Sequence, residues 1–268
     1  MSAPFVEIED GHRLFLRDWG GGPPVLLLAG WSMDSRIWGE VMTALNARGL
    51  RTIAYDRRGH GRSTDPGRAD YDTLTDDLAR VLAALGLRGV TLVAHSGAAG
   101  EAIRYLARHG TDRIARLVLV GATGPRMIAG GDGDPGLPPE IAAATRARLA
   151  ADLPGWIEDA IEPFAPGHRA ALGAWMSGMV QDTSRRILLD FQDAILSADL
   201  RHDAARLALP VTLIHGDHDA SAPLDLTARA YARLIPGAEL VIYDGAAHGL
   251  MVTHAARLAA DIAGRCAS

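Results

Sequence analysis

Lysine is missing from this chain altogether: the 27 basic side chains other than histidine are all arginine. Without a lysine amine there is no Schiff base to a carbonyl substrate, no lysine-anchored pyridoxal phosphate, no P-loop lysine and no Ser-Lys catalytic pair. Cysteine is nearly as scarce. A single Cys266 among 268 residues excludes an intrachain disulfide and gives no sign of an oxidising compartment. Its place in a C-terminal tail, where chains are usually mobile, argues against a catalytic thiol. Nowhere do about 18 apolar residues stand together, and the N-terminus MSAPFVEIEDGHRLFLRDWG lacks the basic-then-apolar pattern of an export signal. The expectation is a soluble, cytoplasmic protein with no membrane partner. Blocks of like charge are absent too: the net charge of −5 is interspersed in sign, which gives no electrostatic reason to bind nucleic acid.

What is present is enough apolar material, 48% of 268 residues, for one large core. Around Asp10-Gly11, residues 4–9 and 12–18 alternate apolar and polar, the pattern of an antiparallel hairpin closed by a tight turn. The run PVLLLA at 24–29 is apolar throughout, as in a strand covered on both faces, so the sheet is expected to become parallel there. Then come a helix over 37–48, a strand over 51–55, the loop DRRGHGRST, a helix over 73–85, a strand over 90–94, a helix over 100–109 and a strand over 114–120. That alternation predicts an α/β fold with a mostly parallel, doubly wound sheet.

Between 124 and 206 the alternation breaks, and only helical periodicity remains, at 139–153, 156–164, 168–180 and 184–198. The prediction is a core made of 1–123 and 207–268 with an inserted helical cap over 124–206. Five large apolar cap residues, Trp156, Phe164, Trp175, Met176 and Met179, are candidates to line a substrate pocket as well as to pack the cap. The alternation resumes with a strand over 211–215, a helix over 224–234, a strand over 239–243 and a helix over 253–263. Residues 131–136 match G-x-G-x-x-G by letter. They follow no strand, open no helix and contain Pro135, so they read as a mobile loop at the cap entrance, and no cofactor is expected.

The chemistry gathers at strand ends. VTLVAHSGAAGEAIRYLARHG, 90–110, passes from strand to helix at Ser96. Such a turn forces its apex residue toward a strained backbone that small neighbours must accommodate, here Ala94, Gly97 and Ala98. Small-x-Ser-x-small is the pattern of a nucleophile elbow, with two alanines in place of the usual glycines. A serine hydroxyl is a poor nucleophile at neutral pH, so it needs a base and a group that orients the base. After the strand VTLIH comes GDHDASAP, which holds Asp217 and Asp219, and after LVIY comes DGAAHG, which holds His248. Loops that follow the strands of a parallel sheet meet at its carboxyl edge, so Ser96, Asp219 and His248 are expected to converge. The run from His215 to Asp219 has the letters of metal ligands but no companion cluster, and no metal is expected.

The order Ser, Asp, His is that of α/β-hydrolases, and the chain resembles that superfamily over essentially its whole length. More narrowly it resembles the cofactor-free haloperoxidase, perhydrolase and arylesterase group, through YDRRGHGRS at 55–63, Glu101 onward to Gly110, and YDGAAHGL at 243–250 with Thr253-His254. The resemblance implies the α/β-hydrolase fold, with Ser96 as nucleophile, His248 as general base and then acid, and Asp219 as orienting carboxylate. Relatives hold the acid three residues after a glycine and four before a proline. Asp219 meets both spacings between Gly216 and Pro223, and Asp217 meets neither. The backbone N–H groups of Trp31 and Gly97 are implied as oxyanion donors.

Two positions depart from that pattern. Ala29 stands where relatives have the His of a His-Gly pair, and Gly97 where this group has Met. Both changes keep the N–H donors and alter the pocket beside them. His95 reads as a supporting residue and His60 as structural. The implied activity is hydrolysis of a small carboxylic ester or lactone through an acyl-enzyme on Ser96. Acyl transfer to hydrogen peroxide and carbon-carbon bond hydrolysis are open to the same triad. A ligand-binding protein with little catalysis is the reading from a different class. Serine at the elbow argues against epoxide hydrolysis and dehalogenation, which use Asp there in this superfamily.

Overall fold

The computed structural model describes residues 4–131 and 133–266. Its strands are β1 (Phe5–Glu7), β2 (Arg13–Trp19), β3 (Pro24–Leu28), β4 (Arg51–Tyr55), β5 (Val90–His95), β6 (Ile114–Val120), β7 (Val211–Gly216) and β8 (Glu239–Tyr243). They form one sheet in the order β1-β2-β4-β3-β5-β6-β7-β8. The first two pairings, β1 with β2 and β2 with β4, are antiparallel, and every later one is parallel. Asp10 and Gly11 both have positive φ, 45° and 77°, which is how a two-residue hairpin turn matches the twist of its strands.

The helices are α1 (Gly39–Asn46), entered through a 3₁₀ turn at Ser35–Trp38, α2 (Tyr71–Ala84), α3 (Ala98–His109), α4 (Pro139–Ala151), α5 (Leu153–Phe164), α6 (Ala170–Asp182), α7 (Arg185–Ser197), α8 (Arg201–Ala205), α9 (Ala228–Leu234), α10 (Leu250–Thr253) and α11 (Ala255–Cys266). Alternate residues of β3 face opposite layers. Leu26 and Leu28 join a core with α2, α3 and α9, whereas Val25 and Leu27 join a second core with α1, α11 and the helices between β6 and β7. The apolar run at the start of β3 therefore reflects burial on both faces. No helix among the described residues is long and apolar enough to cross a membrane.

The loop after β4 is a block of buried ion pairs. Arg57 Nε donates to Glu101 Oε2 at 2.6 Å, and Arg58 grips Asp77 through two bonds of 2.7 Å. Tyr55 also bonds to Glu101. Because Glu101 lies on α3 and Asp77 on α2, YDRRGHGRS ties both helices to the sheet. Buried charges of this kind are held by their partners, and removing one leaves the other uncompensated.

Three expectations are corrected. The helix read over 224–234 begins only at Ala228, because the Pro223 carbonyl accepts from the amides of Leu226 and Thr227 in a turn and Thr227 is not helical. The last helix is two helices, broken at His254, where φ is −131°. Cys266 does not sit in a loose tail. It closes α11, whose Leu258, Ala259 and Ile262 are buried, and its Sγ lies 3.3 Å from Thr91 Oγ1. Of the loop at 131–136, Asp132 lies outside the described residues; its neighbour Asp134 accepts from Arg126 Nη1 at 2.7 Å.

Candidate active site

β5 runs between β3 and β6 and is buried along its whole length. It passes into α3 through Ser96 and Gly97, and Ser96 takes the strain, with φ at 55°. Left-handed backbone costs a residue with a side chain on the order of 1–2 kcal/mol. The surroundings hold it there. The Ser96 amide donates to the Val120 carbonyl at 3.0 Å, the Ser96 carbonyl accepts from Ala99 at 3.0 Å, and Tyr71 Oη donates to the Gly97 carbonyl at 2.7 Å.

The loops after β7 and β8 meet beside this elbow. His218 donates its amide to the Ala246 carbonyl at 3.0 Å, and Asp217 Oδ1 accepts from the Gly245 amide at 2.7 Å, so one loop is stitched to the other. His248 is thereby held with Nε2 2.9 Å from Ser96 Oγ and Nδ1 2.7 Å from Asp219 Oδ2. A carboxylate only accepts, so the geometry assigns the proton to Nδ1 and leaves Nε2 free to accept from the serine hydroxyl. Asp219 is fully occupied: Oδ1 accepts from the Ala222 amide at 2.8 Å, and Oδ2 also lies 3.4 Å from His215 Nε2. The residues anticipated from the sequence thus come together, and Asp217 is exposed, with its Oδ1 taken by the Gly245 amide, while Asp219 takes the His248 contact.

The turn after β3 presses against the same place. A Cβ on Gly30 would fall 3.0 Å from Ser96 Cβ and 2.5 Å from His95 Nδ1, so only glycine lets the Trp31 backbone pass so close to the elbow. Gly97 opens α3, where helix amides have no intrahelical partner. Among the described residues neither the Trp31 nor the Gly97 amide donates to another backbone carbonyl. His95 stands behind, its Nε2 3.3 Å from the His248 carbonyl, and burial followed by the neighbouring His248 holds it well below the ordinary imidazole range. His60 lies apart, with Nδ1 on the Arg58 carbonyl at 2.9 Å; burial pushes it down to about 4. Among the described residues no three His, Cys, Asp or Glu side chains gather to hold a metal ion.

Ser96 and His248 open onto a cavity of about 260 Å³ whose lining is mostly apolar. Trp156, Phe164 and Met176 line it as expected, together with Trp31, Ile157 and Ile161. Two expectations fail. Trp175 precedes Met176 on α6 and so points about 100° away around the helix, leaving it 39% exposed and outside the cavity. Met179 is fully buried but packs in the core instead of lining the cavity. Missed altogether were Gln192, Ile195 and Leu196 on α7, which share one helix face at i, i+3 and i+4 and line the cavity together. Their spacing was the available signal. Trp31 fixes this helix by donating Nε1 to the Leu188 carbonyl at 2.8 Å and packs edge-on to Trp156, ring centres 4.9 Å apart.

A mostly parallel sheet with a serine elbow on a central strand and Asp and His at the ends of later strands is the architecture of an α/β-hydrolase. The sequence matches the family model described as alpha/beta hydrolase fold over residues 23–255, and the chain belongs to that family. It is similar to the non-heme chloroperoxidase CPO-A1 of Kitasatospora aureofaciens, 37% identical over 256 residues that cover 92% of both chains. It is also similar to the non-heme haloperoxidase of Rhodococcus erythropolis, 36% identical over 269 residues and 97% of both chains. Among solved structures, an esterase from Exiguobacterium antarcticum superposes with a TM-score of 0.93 at 27% identity, covering 98% of this chain and 99% of that one.

Proposed function

We propose that this hydrolase cleaves small carboxylic esters or lactones through an acyl-enzyme on Ser96. The observation that carries the reading is the unbroken line from Ser96 Oγ to His248 Nε2 at 2.9 Å and from Nδ1 to Asp219 at 2.7 Å, beside an apolar cavity of small-acyl size. In this reading Oγ attacks the ester carbonyl as its proton passes to Nε2. The Trp31 and Gly97 amides receive the developing oxyanion. Asp219 balances the imidazolium, which then gives its proton to the departing alkoxide, and water repeats the sequence on the acyl-enzyme. The segment 124–206 acts as a cap that selects the acyl group over a core of 1–123 and 207–268. Likeness to a solved esterase supports the substrate class.

The test is incubation with a fluorophosphonate followed by intact-mass measurement. Wild type gains one adduct and Ser96→Ala gains none, while ester turnover falls by about a thousandfold or more. An adduct on Ser96→Ala, or a tenth of wild-type turnover in a clean preparation, overturns the assignment. The haloperoxidase relatives favour a second use of the same intermediate. Hydrogen peroxide replaces water as the attacking group, His248 takes its proton, and the acyl group leaves as a peracid. Peracid trapped by bromide oxidation in ester-plus-peroxide mixtures measures that branch against plain hydrolysis.

A further inference from the structure

The residue after His248 is bonded to the helical segment between β6 and β7. The Gly249 amide donates to the Phe164 carbonyl at 2.8 Å. A Cβ on Gly249 would fall 2.7 Å from that carbonyl oxygen and 2.6 Å from Phe164 Cε1, so the approach of Phe164 is what requires glycine here. Phe164 is the last residue of α5, and both it and the following Ala165 are buried. The ring adds a second contact. It stands edge-on to His248, ring centres 5.6 Å apart at 77°, and to His95, 6.1 Å apart at 89°, while His95 and His248 are 4.7 Å apart. Three rings carried by β5, α5 and the loop after β8 thus pack in a triangle.

The hydrogen bonds of His248 do not all persist through an acyl transfer. Asp219 stays on Nδ1, but the bond from Ser96 Oγ to Nε2 is given up as Oγ joins the carbonyl carbon, and Nε2–H must then face the leaving oxygen. An apolar wall that takes no part in the proton transfers is the same before and after them. Resting on the serine-hydrolase reading, we propose that Phe164 is a positioning residue for His248: with its carbonyl on the Gly249 amide and its ring against the imidazole, the seating of α5 keeps the base aligned for both proton transfers. The segment that selects the acyl group is then also part of what aligns the base. A change at Phe164 therefore acts on every substrate alike, whereas a wall that only bounded the acyl chain would act on long acyl groups and spare an acetyl group.

Phe164→Leu tests this, since it keeps the main-chain carbonyl and an apolar side chain but withdraws the ring from His248. It is compared with wild type on p-nitrophenyl acetate and p-nitrophenyl hexanoate, and in the rate of labelling by diethyl fluorophosphate, whose short arms ask little of the cavity. On both esters kcat is expected to fall by about tenfold or more, the labelling rate to fall with it, and KM to stay within about threefold. A loss confined to the hexanoate or carried by KM, with acetate turnover and labelling within about threefold of wild type, overturns the proposal. Urea unfolding gives the folded fraction of each protein. Phe164→Met, which returns volume on a flexible side chain, takes the place of Phe164→Leu if the latter does not fold. A second arm needs no turnover. The Nδ1 proton of His248, assigned by its loss in His248→Asn, is followed by proton NMR in the free protein. A sharp downfield line is expected in wild type and a line broadened by faster exchange with water in Phe164→Leu. That broadening supports the role of Phe164 even if wild type fails to label at Ser96. Lines of equal width overturn it even if Ser96 labels fully.

Discussion

Two aspartates share the loop after β7, and their surroundings assign them different work. Asp219 is buried and accepts from His248 Nδ1, whereas Asp217 is exposed and accepts the Gly245 amide, holding the His248 loop in place. Asp219→Asn keeps the shape but favours the wrong imidazole tautomer, so kcat is expected to fall on the order of a thousandfold or more. Asp217→Asn removes one charge from a loop contact and is expected to cost less than about tenfold. Measured on one activated ester, a larger loss for Asp217→Asn would reverse the assignment. The elbow itself makes a second prediction about single residues. Ser96 is held at φ 55°, where alanine is strained and glycine is not. Both Ser96→Ala and Ser96→Gly lack the hydroxyl, yet Ser96→Gly should be the more stable by about 1 kcal/mol in urea unfolding. Equal stability would mean that the turn carries no strain.

At the scale of elements, α7 is the piece that sits on the elbow. Ile187 presses on Gly59, Phe191 packs edge-on to Tyr71, and Ile195 reaches Gly97. Gly97→Ala would drive a methyl into Ile195 and is expected to cost about 1–3 kcal/mol of stability. Ile195→Ala in the same chain should recover more than half of that loss and of the accompanying loss in kcat/KM. A Gly97→Ala protein as stable and active as wild type would show that α7 is not seated there. Single elements were legible in the sequence where the pattern was unambiguous. β4, β6 and β8 fall on the residues read from their apolar, β-branched runs, because turn and loop residues bound them on both sides. The convergence of Ser96, Asp219 and His248 was legible for a topological reason, since loops after parallel strands share one edge. The cavity was not. α6 carries Ala, Leu, Trp, Met and Val around its circumference, so periodicity could not say that Met176 faces inward and Trp175 outward. Gln192 was passed over because one polar residue on an amphipathic helix reads as solvated until the opposing helices are known.

Across the whole molecule, several ionisable groups are folded into the interior, and they give stability a pH dependence of mixed sign. Burial raises Asp56, Asp77 and Glu101 above the ordinary carboxylate range. Their contribution is full below the unfolded values near 4 and is lost as pH rises through the folded ones, so they favour the native state on acidification. His60, His95 and His215 act the other way. Burial lowers all three, and His60 falls from 6.5 to about 4. Between those two values the unfolded chain binds a proton at residue 60 that the native one refuses, so stability rises with pH across that window and is lost as pH drops through it. The wild-type slope sums these opposing terms, but a variant isolates one of them. His60→Asn keeps a donor for the Arg58 carbonyl and removes the titration. Whatever the fixed cost of the substitution, wild type should lose about 2 kcal/mol more than His60→Asn on going from pH 7 to pH 4.5, given a folded value of about 4. Urea unfolding of both proteins at the two pH values and constant ionic strength measures the difference. Parallel losses would mean that His60 is protonated in the native state as readily as in the unfolded chain, and that its burial does not exclude the charge.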